Sequence, residues 1–411
     1  MRIHAGGLIG WAAALSLVSA VSASAQTVTP PIPGATTTKP DLTLANTIGQ
    51  AVGAVGPARA GEAISLGAEL AIATAPFGVS TGGFLIKLDP ATGLQVRTAT
   101  TFGPSFAERA LTSGEGSVNI GVSYMSSEYN RLGSGSFDGL TLRTTTGSVA
   151  GNSREATSNL TVHANTTVIA ARMGVTDNLD VGVNLPIVSV KVGGSTSLVN
   201  GSGQMLTFAS AAGMTTGLGD LTGIVKYRFH SFGSGLPDPG GLAVMGAMRL
   251  PTGSRDNLRG LGITRTMVSF IYSSGQKRFR PHANAGFEFW SDGVSATSES
   301  GSTVTARNQL QYAAGFEFEA APKCTLLLDL LGGRIFGGGK IGYQDDPAAA
   351  GLTSSRSLVA LPEGLTRLSL APGAKVNLKG KLLLSVNALV ALKDDGLHAR
   401  VTPVAGLELT F

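Results

Sequence analysis

The chain has 411 residues, of which 43% are hydrophobic and only 14% are charged, with 57 glycines and a mean hydropathy of +0.22. Soluble domains carry about 25% charged residues, so this chain lacks the usual means of keeping a large surface in water. The glycines follow no three-residue period, which excludes collagen, and the net charge of +5 comes without a block of Lys and Arg, which argues against a nucleic-acid partner.

The first 25 residues have the three parts of a secretory signal peptide. Arg2 supplies a positive start, residues 7–21 are apolar, and Ala23-Ser24-Ala25 matches a small-residue cleavage site. We therefore expect cleavage after Ala25 and export of the remaining chain. The alternative is an uncleaved membrane anchor, which the shortness of the apolar stretch disfavours.

Residues 26–115 form an N-terminal extension of mixed character. Helical spacing in a Gly- and Ala-rich context predicts weak helices at 41–55 and 61–74, and 83–88 with 94–100 should form a hairpin. The extension is too long for a simple leader. It could fold into a barrel as a plug or lie in the periplasm, and the sequence leaves both open.

From residue 116 onward, apolar residues alternate with polar or small ones, as in a strand with one face in an apolar environment. Leu407, Leu409 and Phe411 share one face, while Glu408 and Thr410 share the other. The same test predicts twelve strands, near 116–126, 158–173, 178–191, 217–230, 240–250, 263–274, 278–290, 307–319, 323–335, 365–378, 381–393 and 398–411.

The connections between these strands favour a membrane barrel. Beyond the signal peptide, no stretch offers the roughly 20 apolar residues that a membrane helix needs, and a closed barrel is the other structure that pairs every backbone group in a bilayer. Very short turns mostly alternate with long polar segments, near 127–157, 194–216, 291–306 and 336–364, as in barrels with short periplasmic turns.

We therefore predict an all-β fold, a transmembrane antiparallel β-barrel of about twelve strands (fourteen also fit) over residues 116–411. Its place would be the outer membrane of a Gram-negative cell. A soluble β-sandwich is the alternative, since its strands alternate too. Aromatic residues at strand ends, such as Phe289, Phe318 and Phe411, favour the barrel.

Ionisable residues recur on one face of the predicted strands. Facing lipid at mid-depth would cost about 2–4 kcal/mol for each Arg or Lys, so we place them in the lumen. They are either a pore lining that selects solutes or a network of salt bridges that braces a narrow lumen. The candidates are Arg172, Asp180, Lys226, Arg228, Arg249, Arg278, Arg280, His282, Glu288, Glu317, Glu319, Asp329, Arg367, Lys375 and Glu408.

Two further features have an expected role. The segment 102–109 joins the extension to the first strand, and Glu108 or Arg109 could pair with lumen charges and lock it there, or the segment could be a solvated linker. Phe411 is in phase with the apolar face of the last strand. A terminal aromatic of this kind belongs to the periplasmic girdle, and we expect it to act as the signal for the barrel-assembly machinery.

A stretch at residues 98–133, TATTFGPSFAERALTSGEGSVNIGVSYMSSEYNRLG, resembles the meta-pathway phenol-degradation family of outer-membrane proteins. Further matches follow in order as GVTDNLDVGVNLPIV (174–188), GLGDLTGIVKYRF (217–229), RLPTGSRDNLRGLG (249–262), RPHANAGFEF (280–289) and ALKDDGLHARVTPVAGLELTF (391–411). Members of this family are described as transporters, often encoded near aromatic-degradation genes. The resemblance implies a barrel and transport, with no catalytic site to carry over.

Enzymatic and metal-dependent functions find little support. No Ser, His and Asp stand in a short arrangement typical of a hydrolase, and His282 next to Asn284 on one strand face fits a hydrogen-bonded lumen pair better than catalysis. No HExxH motif or Cys/His cluster suggests zinc. We predict no catalytic residue, no metal and no cofactor.

Two functions from different classes remain. The first is a channel or transporter for small molecules, which could be aromatic or hydrophobic. The second is a structural or surface-interaction barrel without transport activity. Either would have outer-membrane lipid and the barrel-assembly machinery as partners, and the sequence does not identify a solute.

Overall fold

The computed structural model describes residues 27–28, 43–52, 58–78, 83, 86–88, 95–97, 99–147, 154–199, 204–275, 278–297, 303–346 and 352–411. The signal peptide and cleavage site predicted for residues 1–25 lie outside this part. Within it, no helix has the length and apolar character needed to cross a membrane.

Two helices and twenty-one strands make up the described structure. The helices are α1 (Leu44–Val52) and α2 (Ala58–Ala73). The strands are β1 (Thr27–Val28), β2 (Ile86–Leu88), β3 (Gln95–Arg97), β4 (Val118–Tyr129), β5 (Arg131–Leu132), β6 (Gly135–Ser136), β7 (Leu140–Gly147), β8 (Arg154–Thr176), β9 (Leu179–Val199), β10 (Met205–Leu218), β11 (Thr222–Ser231), β12 (Gly240–Arg249), β13 (Arg265–Ser274), β14 (Phe279–Trp290), β15 (Val294–Thr297), β16 (Thr303–Ala321), β17 (Cys324–Asp346), β18 (Leu352–Lys379), β19 (Leu382–Asp394), β20 (Leu397–His398) and β21 (Val401–Thr410).

Twelve of the strands close into an antiparallel barrel, in the order β4, β8, β9, β11, β12, β13, β14, β16, β17, β18, β19 and β21. The ring closes where β21 pairs with β4 and Leu407 lies opposite Val122. Each wall strand overlaps one of the twelve predicted from alternation, so the predicted fold class is confirmed. Because the ring is closed, no wall strand has a free edge across the middle of the barrel. The backbone N–H and C=O groups of the wall strands are therefore paired there.

Alternation also places the faces of individual strands correctly. In β17, Thr325 and Asp329 are buried toward the lumen, whereas Leu326 and Leu330 are 46% and 36% exposed on the outside. Cys324 lies on the same face as Leu326 and is half-buried. The charged side chain of this stretch, Asp329, therefore lies inside the barrel, on the face that alternation predicts for it.

Three of the segments predicted as long loops contain long strands instead. The segment 127–157 holds β7, which bridges β8 and β18, and 194–216 holds most of β10, which pairs with β9. In 336–364, β17 and β18 continue as a paired ribbon. The prediction ended strands at the length that crosses a bilayer, whereas hydrogen bonding between strands continues beyond it. These strands extend one side of the barrel.

The two ends of the barrel therefore differ. At the short-turn end, strands are joined by connections such as 177–178, 322–323 and 380–381. At the long-loop end lie the extended strands and the longer connections, including 250–264.

Both predicted helices and the predicted hairpin are present, as α1, α2 and the β2–β3 pair. On α1, Leu44, Ile48, Ala51 and Val52 form a buried stripe at helical spacing. Most of α2 is buried around its circumference, as expected for a helix enclosed by other elements. Helix α1 contacts β9 and β10, and α2 contacts β15, β17 and β18, so both fill the lumen at the long-loop end.

Candidate functional site

A cavity of about 210 Å³ lies in the middle of the barrel, between the end of α2 and a segment that crosses the lumen. We call it the central chamber. Its apolar lining includes Phe106, Met125, Met245, Met267 and Leu389. Its polar lining includes Glu108, Ser127, Arg249, Ser269, Asn284, Gln309, Arg367, Asp394 and Thr402. The lining is mixed, because inward positions from strands around the barrel meet there.

The crossing segment, residues 99–113, bounds the chamber toward the short-turn end. It is irregular, so its backbone N–H groups need partners other than those of a helix or sheet. Six of these N–H groups donate to inward side chains of the wall. The donor and acceptor residues are Phe102 and Thr325 (3.1 Å), Gly103 and Glu317 (3.1 Å), Phe106 and Asp329 (3.4 Å), Glu108 and Asn284 (2.7 Å), Ala110 and Ser273 (3.0 Å), and Ser113 and Asp180 (3.0 Å). These acceptors lie on β17, β16, β14, β13 and β9, so the segment is attached across the whole lumen.

Two lysines of the wall bind carbonyl groups of the crossing segment. Lys226 donates from Nζ to the carbonyls of Arg109 (3.3 Å) and Leu111 (2.9 Å). Lys375, from the other side of the barrel, donates to the carbonyl of Pro104 (3.0 Å). Charged donors make stronger hydrogen bonds than neutral ones, so these two lysines hold both arms of the segment.

Glu108 and Arg109 each form ion pairs with the wall. Glu108 lies 2.8 Å from Arg172 and 3.4 Å from Lys226, and Arg109 lies 3.6 Å from Glu317. Burial by itself would raise the pKa of Glu108, but the charges and hydrogen bonds of Arg172 and Lys226 outweigh it and lower that pKa to about 2. Glu108 is therefore ionised at any physiological pH.

Helix α2 bounds the chamber toward the long-loop end, and its last carbonyls are capped by arginines. Arg265 donates to the carbonyl of Ala73 (3.1 Å), and Arg367 donates to that of Leu70 (3.4 Å). The end of a helix carries partial negative charge and leaves carbonyls without helical partners. Arg265 gives the carbonyl of Ala73 a donor, whereas the carbonyl of Leu70 also accepts the N–H of Thr74 (3.2 Å). Both guanidinium groups place positive charge at this end of the helix and fix it above the chamber.

Helices α1 and α2 are also tied to the 250–264 connection. Glu69 of α2 lies 2.9 Å from Nε of Arg255, and the N–H of Ala45 donates to the carbonyl of Asp256 (2.9 Å). Burial raises the pKa of Glu69 to about 7, because the partly exposed Arg255 offsets only part of the desolvation. This contact is thus sensitive to pH near neutrality, unlike that of Glu108.

Eleven of the fifteen residues proposed for the lumen are buried in the structure. They are Arg172, Asp180, Lys226, Arg228, Arg280, His282, Glu288, Glu317, Asp329, Lys375 and Glu408. Arg249 and Arg367 are partly buried and line the chamber, and Glu319 is half-buried near the short-turn end. Arg278 differs from the rest, because it is exposed in the turn before β14 and does not reach the buried set.

Many of these buried charges are matched within the lumen. The pairs are Arg228 with Asp238 (2.6 Å), His282 with Asp329 (2.7 Å), Arg249 with Glu288 (3.4 Å), Arg367 with Asp394 (3.2 Å) and Lys375 with Glu408 (4.0 Å). The side chain of Asn284 bonds the crossing segment, donating to the carbonyl of Glu108, and does not pair with His282. Three of these pairs, those of Arg228, His282 and Lys375, lie in the lumen beside the crossing segment and toward the short-turn end.

Three residues important to this arrangement escaped sequence reasoning. Arg265 shares the inward face of β13 with Met267 and Ser269, so alternation could have found it. Asp220, which lies 3.0 Å from Arg265, and Asp238 are in connections between strands. Connections have no alternation, so no pattern in the sequence indicates where their side chains point.

Among the described residues, no group of three or more His, Cys, Asp and Glu side chains is arranged to hold a metal ion. Phe411 is 61% exposed on the outer surface, and its N–H donates to the carbonyl of Val118 (2.8 Å). The ring is thus exposed on the outside of the barrel at the short-turn end, beside the seam between β21 and β4.

No known protein family matches the sequence, and no curated protein does. Among solved structures, an outer membrane channel from Pseudomonas putida F1 is similar, with a TM-score of 0.48 and 12% identity over 74% of this chain and 98% of the channel. The Ralstonia pickettii toluene transporter TbuX gives 0.35 and 13% over 83% and 99%, and a Pseudomonas aeruginosa FadL homologue gives 0.34 and 11% over 82% and 99%. These values are too low to carry an argument about this chain.

Proposed function

We propose that this chain is an outer-membrane channel or transporter that passes small molecules through the central chamber. The chamber itself carries the proposal. A barrel that served only as a scaffold would have no need of an open space in its lumen. Here a space lined by both methionine and polar side chains lies between two elements that close the lumen, the crossing segment on one side and helices α1 and α2 on the other. We call these two elements the closures.

The outer surface supports insertion in a membrane, with lipid as the partner of the barrel. Phe279 and Phe289 stand near the two ends of β14 and are 43% and 54% exposed. Ten residues of a strand tilted by about 40° rise roughly 25 Å, which is the height of the apolar band of an outer-membrane barrel. Aromatic contacts lie at both levels, with Phe279 5.3 Å from Phe316 and Phe287 6.1 Å from Phe336 between ring centres.

Export through a cleaved signal peptide and insertion by the barrel-assembly machinery complete the proposal. The first rests on Arg2, the apolar stretch and the site after Ala25, and the second on Phe411. The resemblance to the meta-pathway phenol-degradation family and the Met and Phe lining of the chamber favour an aromatic or hydrophobic solute. Polarizable thioether sulfurs make favourable contacts with rings.

A reversible tether on the crossing segment tests transport. The N–H of Ala110 lies 3.0 Å from Oγ of Ser273, and both residues are buried. In a Cys324→Ser background, Ala110→Cys with Ser273→Cys should form a disulfide that fixes the segment to β13. In liposomes, we expect solute uptake to stop when the pair is oxidised and to return on reduction.

A matched control tethers two wall strands without touching the segment. Val268 and Phe287 are partners in the β13–β14 register, so Val268→Cys with Phe287→Cys should leave uptake unchanged in either redox state. Equal uptake with the Ala110–Ser273 pair oxidised or reduced would show that the segment does not gate. If neither wild type nor the reduced variant takes up any solute, the transport proposal fails.

The alternative, a structural or surface-interaction barrel, is favoured by one observation. The buried pairs at the short-turn end join the wall through the crossing segment, as in a brace. Absence of solute uptake would support that function, if substitutions that remove the contacts between the crossing segment and the wall also lower the unfolding temperature.

A further inference from the structure

Arg249, the last residue of β12, lines the central chamber without a hydrogen bond. Its Nε lies 3.4 Å from Oε1 of Glu288, which is an ion pair without hydrogen-bond geometry, and neither Nε nor Nη1 has a hydrogen-bond partner among the residues that the structure describes. Its guanidinium lies 5.9 Å from the centre of the Phe77 ring. An arginine side chain that is 13% exposed and leaves its donors unmatched is costly unless something else binds it.

Arg367 faces the same chamber from β18 and is matched only in part. Its Nη1 donates to the carbonyl of Leu70 and to Oγ1 of Thr74, but its Nη2 has no partner. Its Nε lies 3.2 Å from Asp394, again without hydrogen-bond geometry. Unmatched N–H groups thus belong to two guanidinium groups of the chamber lining.

The carboxylates of the chamber lining, in contrast, are already occupied. Glu108 is held by Arg172 and Lys226, and Asp394 accepts the N–H of Gly396 (2.9 Å). Among the chamber residues that the structure describes, the one buried acceptor without a partner is the amide oxygen of Gln309. Just outside the lining, Oε1 of Glu288 is also without a hydrogen-bond partner and balances the charge at Nε of Arg249. Within the lining, acceptors are therefore lacking mainly for Nη1 of Arg249 and Nη2 of Arg367. A carboxylate supplies two oxygens in the plane that a guanidinium fits best.

The rest of the chamber suits a ring. Met125, Met245, Met267 and Phe106 give it an apolar wall. Its volume of about 210 Å³ exceeds the roughly 150 Å³ of an apolar cavity that binds benzene, so one six-membered ring with a small substituent fits.

We propose that the central chamber is a binding site for a small aromatic carboxylate, with Arg249 as the main ligand of the carboxylate, Arg367 as the second, and the methionines against the ring. This rests on the proposed function and narrows its solute to organic anions. The carboxylate would satisfy donors that the protein leaves unmatched.

Trp290 provides a direct readout. The sequence has two tryptophans, Trp11 and Trp290, and the cleavage proposed after Ala25 removes Trp11. Trp290 is 8% exposed and donates from Nε1 to Glu288 (3.0 Å), the carboxylate nearest Arg249. A ligand that draws Arg249 away from Glu288 changes the surroundings of this indole and therefore its fluorescence.

The experiment titrates the mature protein, which retains Trp290 alone, in detergent with benzoate and with its neutral isostere benzamide. We expect saturable binding of benzoate, at least about tenfold tighter than that of benzamide. Arg249→Gln should remove this preference by weakening benzoate about tenfold or more while leaving benzamide unchanged. Arg249→Lys, which keeps the charge but not the planar donor pair, should be intermediate. Arg278→Gln, at the exposed turn, is the matched control and should have no effect.

Equal affinity for benzoate and benzamide in the wild type overturns the proposal, and so does unchanged benzoate binding in Arg249→Gln. If Arg249→Gln does not fold, as judged by heat-modifiable mobility, the wild-type comparison and Arg249→Lys decide. Liposome uptake separates this proposal from the proposed function. Selective binding without uptake would refute transport and keep the site, whereas uptake without preference would refute the site and keep transport.

Discussion

The two closures of the lumen are built from different interactions. The crossing segment is irregular and is held by inward side chains and by the charges of Arg172, Lys226 and Lys375. Helices α1 and α2 satisfy their own backbones and are held mainly by burial of residues such as Ile48 and Leu70. One closure therefore depends on charge and hydrogen bonding, and the other on apolar contact area. They should respond to different perturbations.

The largest expected effect is on conductance, and it tests whether each closure blocks the lumen by itself. Deleting residues 43–78 removes both helices but leaves the crossing segment bonded across the barrel. We expect little rise in single-channel conductance from that deletion alone. Adding Lys226→Ala, which weakens the hold on one arm of the segment by removing the donor to the carbonyls of Arg109 and Leu111, should raise conductance severalfold over either change alone. A porin-like conductance from the helix deletion alone would show that the crossing segment closes nothing.

Lys226 tests how much the charged closure contributes to stability. Its ammonium group serves Glu108 and Asp180 (3.7 Å) as well as two carbonyls. Lys226→Met leaves buried carboxylates undercompensated, which costs about 3–5 kcal/mol. The unfolding temperature in detergent should fall accordingly. Lys379→Met, at an exposed position of β18, should leave it unchanged.

Glu108 distinguishes the closures by acid. Its pKa of about 2 lies below the ordinary value of 4.5, so its contribution to stability is complete above pH 4.5 and is lost as the pH falls toward 2. Glu108→Gln should cost about 3 kcal/mol at pH 7 and almost nothing at pH 2. Glu115→Gln, at an exposed position just beyond the crossing segment, is the control and should show no such dependence. A cost that does not change between pH 7 and pH 2 would contradict the ion pairs.

Glu69 should show the opposite sign at the other closure. Its pKa of about 7 lies above 4.5, so the folded state holds the proton more tightly, and stability falls as the pH rises from 4.5 to 7. Glu69→Gln removes this loss. We expect it to stabilise the protein by about 1 kcal/mol at pH 8 and to be neutral at pH 4, as read from thermal unfolding at both values. Destabilisation at pH 8 would mean that the Arg255 contact outweighs burial.

The wall of this barrel could be predicted from the sequence more fully than the contacts inside its lumen. Period-two alternation located the twelve wall strands and the face of Asp329, because the membrane demands that pattern. It missed β7 and β10, where Ser and Thr alternate as readily in a loop as in a strand. Within the lumen, it singled out Glu108 and Arg109 by charge alone. The partners on the wall and the arginine caps of α2 depend on which strands face each other, which no local pattern records.

The attachment of the crossing segment also constrains the order of folding. Its hydrogen-bond acceptors lie far along the chain, with Asn284 176 positions after Glu108 and Thr325 223 positions after Phe102. The segment cannot acquire these bonds before the strands that carry them have paired, and contacts of such long sequence separation form slowly. Docking of residues 99–113 is thus a late step, because this early part of the chain needs strands that follow it by well over one hundred residues. An intermediate with a paired wall and an unfilled lumen should precede the native barrel during refolding.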